Sequence, residues 1–167
     1  TLAYPTMSSL HDNTFAYVSK CFEIGQMEGS SIRGNTLLNW DLSTGAAANG
    51  AFCRIGGPSR DIVVSGNSIQ HEIDSRARTR TVDEELNGRT FVQFEDCERV
   101  SLSNNVIDTV QTETVVRLHN CRDCVVVDNV ITHGPGGSAV AETGICKGNV
   151  YRKVKIEESD AFDPFIS

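Results

Sequence analysis

The chain has 167 residues, and at about 150 residues per domain this length predicts a single domain. Apolar residues make up 39% of the chain and charged residues 22%, which is typical of a globular domain and excludes a largely disordered one. No apolar run approaches the roughly 18 residues of a membrane span, so no membrane partner is predicted. The formal net charge of −7 disfavours a nucleic-acid partner, because phosphate backbones select basic surfaces.

A short asparagine-centred motif recurs along the chain, and internal repeats of this kind indicate a stacked architecture. Five segments align on the motif, the last of them more weakly than the others, and their central residues are Asn35, Asn67, Asn105, Asn129 and Asn149. The intervals between these asparagines are unequal, which indicates that insertions of different length separate the copies of a constant unit.

Each repeat predicts three short β-strands separated by two corners. Residues 92–95 alternate apolar and polar side chains, and residues 116–119 do the same. Alternation with a period of two is typical of a strand whose two faces lie in different environments. No segment shows sustained helical periodicity, so the sequence predicts an all-β protein.

A unit with three short strands cannot bury its own apolar side, so we expect each repeat to stack on the next. Coils about 4.8 Å apart place equivalent residues directly above one another. The expected inward rows include Ile62, Val100 and Cys124 on the second strand, and Ile69, Ile107 and Ile131 on the third. The predicted fold is a parallel β-helix solenoid of about five coils over residues 20–151, with residues 1–19 as an N-terminal segment or cap and residues 152–167 as a C-terminal tail or cap.

The asparagines and cysteines have structural explanations in this fold. Asparagine tolerates left-handed backbone, and stacked side-chain amides can hydrogen-bond along a ladder at a tight corner. Cys97 and Cys121 fall on one inward row, where they are expected to stack as buried thiols, although a disulfide between adjacent coils stays open. Cys121 and Cys124 form a single C-x-x-C without a second pair at zinc-site spacing, and the four histidines lack ligand spacing. No metal and no cofactor are therefore predicted.

The segment from Leu118 to Ile131, like its counterpart from Phe94 to Ile107, resembles the coil repeat of the right-handed parallel β-helix, or pectin-lyase-like, superfamily. Most members of that superfamily bind, cleave or epimerise polysaccharides, among them pectinases, alginate-modifying enzymes and phage tailspike depolymerases. Others are adhesins or spikes without catalysis. Family enzymes usually carry more coils than are predicted here, so the resemblance implies a short member or a section of a longer helix.

The resemblance also carries expectations about setting and activity. It implies an extracellular or virion-associated protein and, by analogy with tailspikes, a homotrimer. The motif sets of polygalacturonases and of alginate epimerases are absent from the chain, so these two activities are not expected.

The outward face of the first strand is the predicted site. Side chains between its inward apolar positions must point outward, and they form two rows: Glu23, Arg54, Gln93 and Arg117 in one, and Gly25, Gly56, Glu95 and His119 in the other. Long insertions over residues 39–50 and 72–89 are expected to wall a groove beside these rows. The predicted partner is a polysaccharide, and its predicted binding residues are Arg54, Gln93, Glu23, Glu72 and Asp74.

The catalytic residues proposed from sequence are Glu95, His119 and Arg117. A glycoside hydrolase needs two carboxyl groups about 5 to 10 Å apart, and Glu95 would be one of them. A lyase needs a base, which could be His119 or Glu95, and a cation such as Arg117 that stabilises the enolate-like charge. Two alternatives without catalysis stay open: a glycan-binding or structural spike module, and an exposed cross-coil charge ladder with no binding role.

Overall fold

The structure is a computed structural model, and it describes residues 7–16, 22–39, 53–71, 90–108, 114–133 and 137–158. All regular secondary structure in these ranges is β-strand. The strands are β1 Ser9–His11, β2 Thr14–Ala16, β3 Phe22–Ile24, β4 Ser31–Arg33, β5 Thr36–Asn39, β6 Cys53–Ile55, β7 Ser59–Ser65, β8 Ser68–His71, β9 Thr90–Glu95, β10 Cys97–Ser103, β11 Val106–Asp108, β12 Thr114–His119, β13 Val125–Val127, β14 Val130–His133, β15 Ser138–Thr143, β16 Val150–Arg152 and β17 Lys155–Glu158. Across the described ranges, no helix has the length and apolar character that crossing a membrane requires.

The strands form three parallel sheets. Sheet A contains β1, β4, β7, β10, β13 and β16, sheet B contains β2, β5, β8, β11, β14 and β17, and sheet C contains β3, β6, β9, β12 and β15. Neighbouring strands in each sheet come from successive turns of the chain, and every pairing is parallel. The chain therefore winds as a parallel β-helix solenoid, and the predicted fold class is confirmed.

The core is a tube of stacked aliphatic rows. Val100 pairs with Ile62 in sheet A, and Ile107 pairs with both Ile69 and Ile131 in sheet B. All five side chains are buried. The rows predicted from the alternation of apolar residues are confirmed, and burial of these side chains is the main favourable term that holds one coil on the next.

The first and last rungs of the stack extend the predicted repeat at both ends. Strands β1 and β2 pair with β4 and β5, and β17 pairs with β14. These strands lie in the ranges that the sequence assigned to the end segments, and they add a rung to sheets A and B. The division into a helix and two caps remains a prediction.

The position of Asn149 corrects the sequence alignment. Val150 pairs with Val125, so Asn149 lies level with Cys124, and the residue level with Asn129 is Val154. The error has a physical cause. A Gly-Asn pair marks a left-handed corner, and Gly148 does adopt a φ of 71°, but it occupies the first corner of its coil instead of the second.

A ladder of asparagine amides runs along the corner between sheets A and B. The backbone N–H of Asn35 donates to Oδ1 of Asn67 at 3.0 Å, and the Asn35 Nδ2 donates to the same oxygen at 3.0 Å. The same pair of bonds joins Asn67 to Asn105 and Asn105 to Asn129. Asn13, which the sequence analysis missed, begins the ladder by donating to Asn35.

The left-handed residue at this corner is the one before each ladder asparagine. Gly34, Gly66, Asn104 and Asp128 have φ values between 53° and 64°. Asparagine's tolerance of left-handed backbone therefore does not explain the ladder positions, and that expectation is wrong. Amide hydrogen bonding explains them, because Asn35, Asn67, Asn105 and Asn129 are all buried and satisfied.

The corner between sheets C and A is a residue longer in two of the coils. Glu142 is level with Leu118, yet Lys147 is level with Arg122. Likewise, Ile24 is level with Ile55 and Glu28 with Arg60, so the segment Gly56–Ser59 carries an extra residue. Ser59 closes this corner: its Oγ donates to the Gly56 carbonyl oxygen at 2.8 Å and accepts the Met27 N–H at 2.9 Å. Gly57 has a φ of 69°, and a Cβ there would lie 2.0 Å from the Gly25 carbonyl oxygen.

Cysteine thiols stack in the core near the same corner. Glu98, Arg122 and Lys147 pair across successive coils, so the residues that precede them lie on one row: Cys97, Cys121 and Cys146. These three residues and Cys124 carry free thiols. The Cys121 Sγ lies 3.3 Å from the His119 carbonyl oxygen. A hydrogen bond with Cys124 lowers the pKa of Cys121, but a hydrogen bond with Cys97 and burial outweigh it and raise that pKa to about 12. The prediction of buried, stacked thiols is confirmed.

We expect Asn67→Ala to lower the free energy of unfolding by about 3 kcal/mol, because it leaves buried ladder donors and acceptors on both neighbouring coils without partners. Chemical denaturation monitored by circular dichroism measures this. Gln70→Ala is the control, since Gln70 is exposed on the same coil and its side chain bonds only to Ser68 in the described structure. Equal stability of the two variants would contradict a structural role for the ladder.

We expect the folded protein to lose stability as the pH rises from 9 to 12. The Cys121 thiol ionises near its ordinary pKa of 9.0 when unfolded but only near 12 in the fold, so its contribution is complete below pH 9 and disappears through this window. Thermal unfolding across the range measures the effect. Cys121→Ser should reduce the slope, and an unchanged slope would contradict this assignment.

Candidate functional site

Sheet C brings the predicted polar side chains together on its outward face. Pairing places Glu23, Arg54, Gln93 and Arg117 level on successive strands. Glu95 pairs with His119, which pairs in turn with Thr143. The two predicted outward rows are therefore adjacent in the structure. Glu72 and Asp74 lie outside the described residues, as do most of the two long insertions.

Arg54 links two acidic residues across three coils. Its Nη1 donates to Glu23 Oε1 at 3.0 Å, and its Nη2 and Nε donate to Glu95 Oε2 at 2.5 and 3.1 Å. The guanidinium lies across Gly56, where a Cβ would come within 3.2 Å of Nη2. A glycine at this position leaves the surface clear for Arg54 to reach Glu95.

These contacts stabilise the charged form of Arg54 and hold its two carboxylate partners close together. The hydrogen bond to Glu95, followed by the smaller contribution of Glu23, raises the pKa of Arg54 despite its partial burial. Both carboxylates contact one guanidinium fork, so they lie no more than about 8 Å apart. This upper bound overlaps the range of glycosidase pairs. Both carboxylates are engaged by the Arg54 guanidinium, so neither is a free side chain facing a substrate.

Arg117 differs from Arg54 in having no ion-pair partner among the described residues. Its Nε is buried and makes no hydrogen bond to any of them, although the side chain as a whole is only partly buried. The neighbouring positions in its row are Gln93 and Ala141, which are both uncharged. A guanidinium that keeps donors uncommitted at a surface can bind a carboxylate in a forked geometry.

His119 lies two residues beyond Arg117 on the same outward face. Its Nδ1 lies 3.0 Å from the Thr143 Oγ1, which fixes the orientation of the ring. Nε2 is then the ring nitrogen available to exchange a proton. The glycine on the next coil leaves room for the ring, because a Cβ at Gly144 would lie 3.1 Å from the ring's Cε1. His119 and Arg117 thus place an imidazole and a guanidinium on one surface.

Sequence reasoning missed an open groove along the corner between sheets C and A. The groove has a volume of about 740 Å³ and borders the row of Glu95 and His119. Its lining includes one row of charged residues from successive coils: Glu28, Arg60, Glu98, Arg122 and Lys147. The signal was present in the repeat, since each of these residues directly follows the inward row of Met27, Ser59 and the stacked cysteines.

Ion pairs hold most of this row together. Arg60 pairs with Glu28 at 2.7 Å, and Arg122 pairs with Glu98 at 2.7 Å. Each of the residues that follow Arg60 and Glu98, namely Asp61 and Arg99, has left-handed backbone. Arg99 binds both oxygens of Asp61 at 2.7 and 2.8 Å and also contacts Glu98. The hydrogen bond from Arg99 lowers the pKa of Asp61, and the hydrogen bond from Arg122 lowers the pKa of Glu98.

The described residues contain no group of three or more His, Cys, Asp or Glu side chains arranged to hold a metal ion. Two of the clusters that could have been considered make other contacts: Cys97, Cys121 and Cys124 are buried in the core, and Glu28 and Glu98 of the corner groove are paired with arginine.

Comparison with known proteins gives a limited result. No family model matches the chain, and no curated protein matches it. One solved structure, described as a candidate glycosyl hydrolase from Parabacteroides merdae, is similar over 81% of this chain and 81% of its own, with 13% sequence identity and a TM-score of 0.44. A likeness at this level carries no argument about activity, so the function is inferred from the site.

We expect acid to weaken the corner. The carboxyl groups of Asp61 and Glu98 have pKa values below their ordinary 3.8 and 4.5, so their stabilising contribution is present above about pH 4.5 and is lost as the pH falls through the lowered values. Thermal unfolding from neutral pH downward should show a gentler loss in Arg99→Gln than in the parent protein. The effect is small because the pairs are exposed.

Arg33→Gln is the control for this experiment, because Arg33 is exposed on sheet A and contributes to none of these pairs. The same pH profile in Arg99→Gln and in the parent protein would contradict the assignment.

Proposed function

We propose that the protein binds an extended acidic glycan along the outward face of sheet C and cleaves it by β-elimination. The observation that carries the proposal is that Arg117 has no ion-pair partner among the described residues and that its Nε makes no hydrogen bond to them, while the oriented imidazole of His119 lies two residues away. A polysaccharide partner, an extracellular or virion-associated setting and membership of the pectin-lyase-like superfamily belong to the same proposal. The parallel coils support it, because they present polar groups at regular intervals to an elongated polymer.

The residues have distinct roles in this proposal. Arg117 binds the carboxylate of a uronate residue and offsets the negative charge that develops when the neighbouring carbon loses its proton. His119 Nε2 accepts that proton. The electron pair of the broken C–H bond forms a carbon–carbon double bond, and the glycosidic C–O bond breaks, so the leaving oxygen takes a proton from solvent. Gln93 adds amide hydrogen bonds, and Arg54, Glu23 and Glu95 shape the neighbouring surface.

Elimination fits this surface better than hydrolysis does. Hydrolysis requires a carboxylic acid that is free to protonate the leaving group, whereas Glu23 and Glu95 both contact the guanidinium of Arg54. Elimination requires a base and a cation, and neither His119 nor Arg117 is engaged in an ion pair with the described residues. Glu95 then acts as an electrostatic partner of Arg54 rather than as an acid.

A non-catalytic glycan-binding module, of the tailspike or adhesin type, is the second candidate. The observation that favours it is the Glu23–Arg54–Glu95 ladder, which uses half of the face for contacts between coils. In this case Arg117 would bind the glycan carboxylate, and His119 would have no part in chemistry.

We expect the protein to generate unsaturated ends from a polyuronate, measured by the ultraviolet absorbance of the new double bond. Arg117→Gln should lower kcat/KM about 100-fold, because it removes the charge that stabilises the transition state. His119→Gln should lower kcat about a thousandfold with a smaller change in KM. Arg33→Gln is the matched control, since it removes one exposed arginine from sheet A.

Two results separate the candidates. Binding of polyuronates that depends on Arg117 but yields no product would favour the non-catalytic module. Reducing ends without unsaturation would instead establish hydrolysis and contradict the elimination mechanism. The absence of both binding and turnover across acidic and neutral polysaccharides would contradict the glycan proposal as a whole.

A further inference from the structure

The two ends of the described stack differ in charge and in what they expose. At the last turn, four basic residues stand against three acidic ones: Lys147, Arg152, Lys153 and Lys155 against Glu142, Glu157 and Glu158. At the other end, the described residues 7–16 and 22–39 carry three acidic residues and one arginine: Asp12, Glu23, Glu28 and Arg33. Exposed apolar side chains also gather at the last rung, where Ile145 is 86% exposed and Ile156 is 56% exposed. Strand edges at the ends of a sheet offer unpaired N–H and C=O groups to a further strand.

We propose that the last rung of one copy stacks on the first rung of a second copy, continuing the β-helix head to tail. The alignment of the strands determines which residues of the two copies would meet. If β16 and β17 pair with β1 and β2 of the second copy as they pair with β13 and β14, the inward rows of sheets A and B continue across the junction. Tyr151 then meets Leu10, and Ile156 meets Phe15, because these residues already occupy the same two rows.

The asparagine ladder supports this direction of stacking. Within the stack, the N–H of each ladder residue donates to the amide oxygen of the next rung. Asn13 donates to Asn35 and to the His11 carbonyl oxygen, and its own Oδ1 accepts no hydrogen bond from the described residues. Val154 occupies the ladder position of the last rung. Stacking brings the Val154 N–H beneath Asn13 Oδ1 of the next copy, where it completes the pattern.

The residues that precede the ladder positions form a row with left-handed backbone, and this row has opposite charges at its two ends. Lys153 ends the row, and its Nζ lies 3.9 Å from Asp128 Oδ1 on the preceding turn. Asp12 begins the same row and is largely exposed. Head-to-tail stacking places Lys153 of one copy against Asp12 of the next, so the lysine has an acidic neighbour on both sides. The two surfaces are different, so the contact is heterologous and can repeat into longer assemblies.

The test exchanges the two charges. Asp12→Lys and Lys153→Asp each introduce a residue type that already adopts left-handed backbone in this row. Lys153→Asp also places an aspartate beside Asp128 of the same copy, so its stability is measured alongside. Sedimentation velocity across a wide range of concentration should show the parent protein growing in steps of one copy. Each variant alone should associate about tenfold more weakly, because like charges then meet at the junction.

Mixing the two variants is the decisive arm of the experiment. A mixture should associate as the parent does, since every junction between one variant and the other joins a lysine to an aspartate. Asp108→Lys is the matched control, as Asp108 is exposed in the middle of the stack on sheet B, and it should leave association unchanged. Circular dichroism confirms that every variant is folded.

Other outcomes overturn the proposal. A monomer at all concentrations would show that the ends do not recognise one another. A fixed homotrimer that is indifferent to both charge changes would place the interface on the sides of the solenoid instead. Failure of the mixture to recover association would show that Asp12 and Lys153 do not meet. None of these results depends on glycan binding, so they do not test the function proposed above.

Discussion

Register between successive coils is the constraint on which the rest of the molecule depends. Apolar rows alone would allow neighbouring coils to slide, because one aliphatic side chain packs almost as well as the next. The buried amides of Asn35, Asn67, Asn105 and Asn129 do not allow this, since a shift by one residue would leave several donors and acceptors without partners in a dry interior. Burial of the aliphatic rows therefore supplies most of the stability, and the ladder specifies the alignment.

Fixed register is also what turns scattered residues into surfaces. Glu23, Arg54 and Glu95 are far apart in the sequence, and they meet only because their strands are level in sheet C. The same alignment produces two different kinds of arginine on one face. Arg54 has its charge satisfied by two carboxylates and contributes to cohesion between coils, whereas Arg117 keeps its donors uncommitted among the described residues. The proposal that Arg117 binds the ligand rests on that difference.

Sequence predicted the fold well and the site in part. Alternating apolar residues and the Asn-centred motif were sufficient for the sheets, for the inward rows and for the outward placement of Arg117 and His119, because each depends on local periodicity. Asn149 was aligned with the wrong corner, because the sequence Gly-Asn is the same at the first and the second corner of a coil. The corner groove was missed because its charges, such as Glu98 and Arg122, follow buried positions one by one, and their meaning emerges only when the coils are aligned. The contact of Arg54 with Glu95 depends on the space above Gly56, which no pattern of residues discloses.

The longer corner at Gly56–Ser59 illustrates how such a protein can change over evolutionary time. The hydrogen bonds of the Ser59 hydroxyl hold the additional residue within the corner, and the strands on either side keep their usual pairing. A disturbance in one turn is thus absorbed before it reaches the next one. A solenoid of this kind can therefore gain residues at its corners without any change to its interior, because each turn contacts only its neighbours.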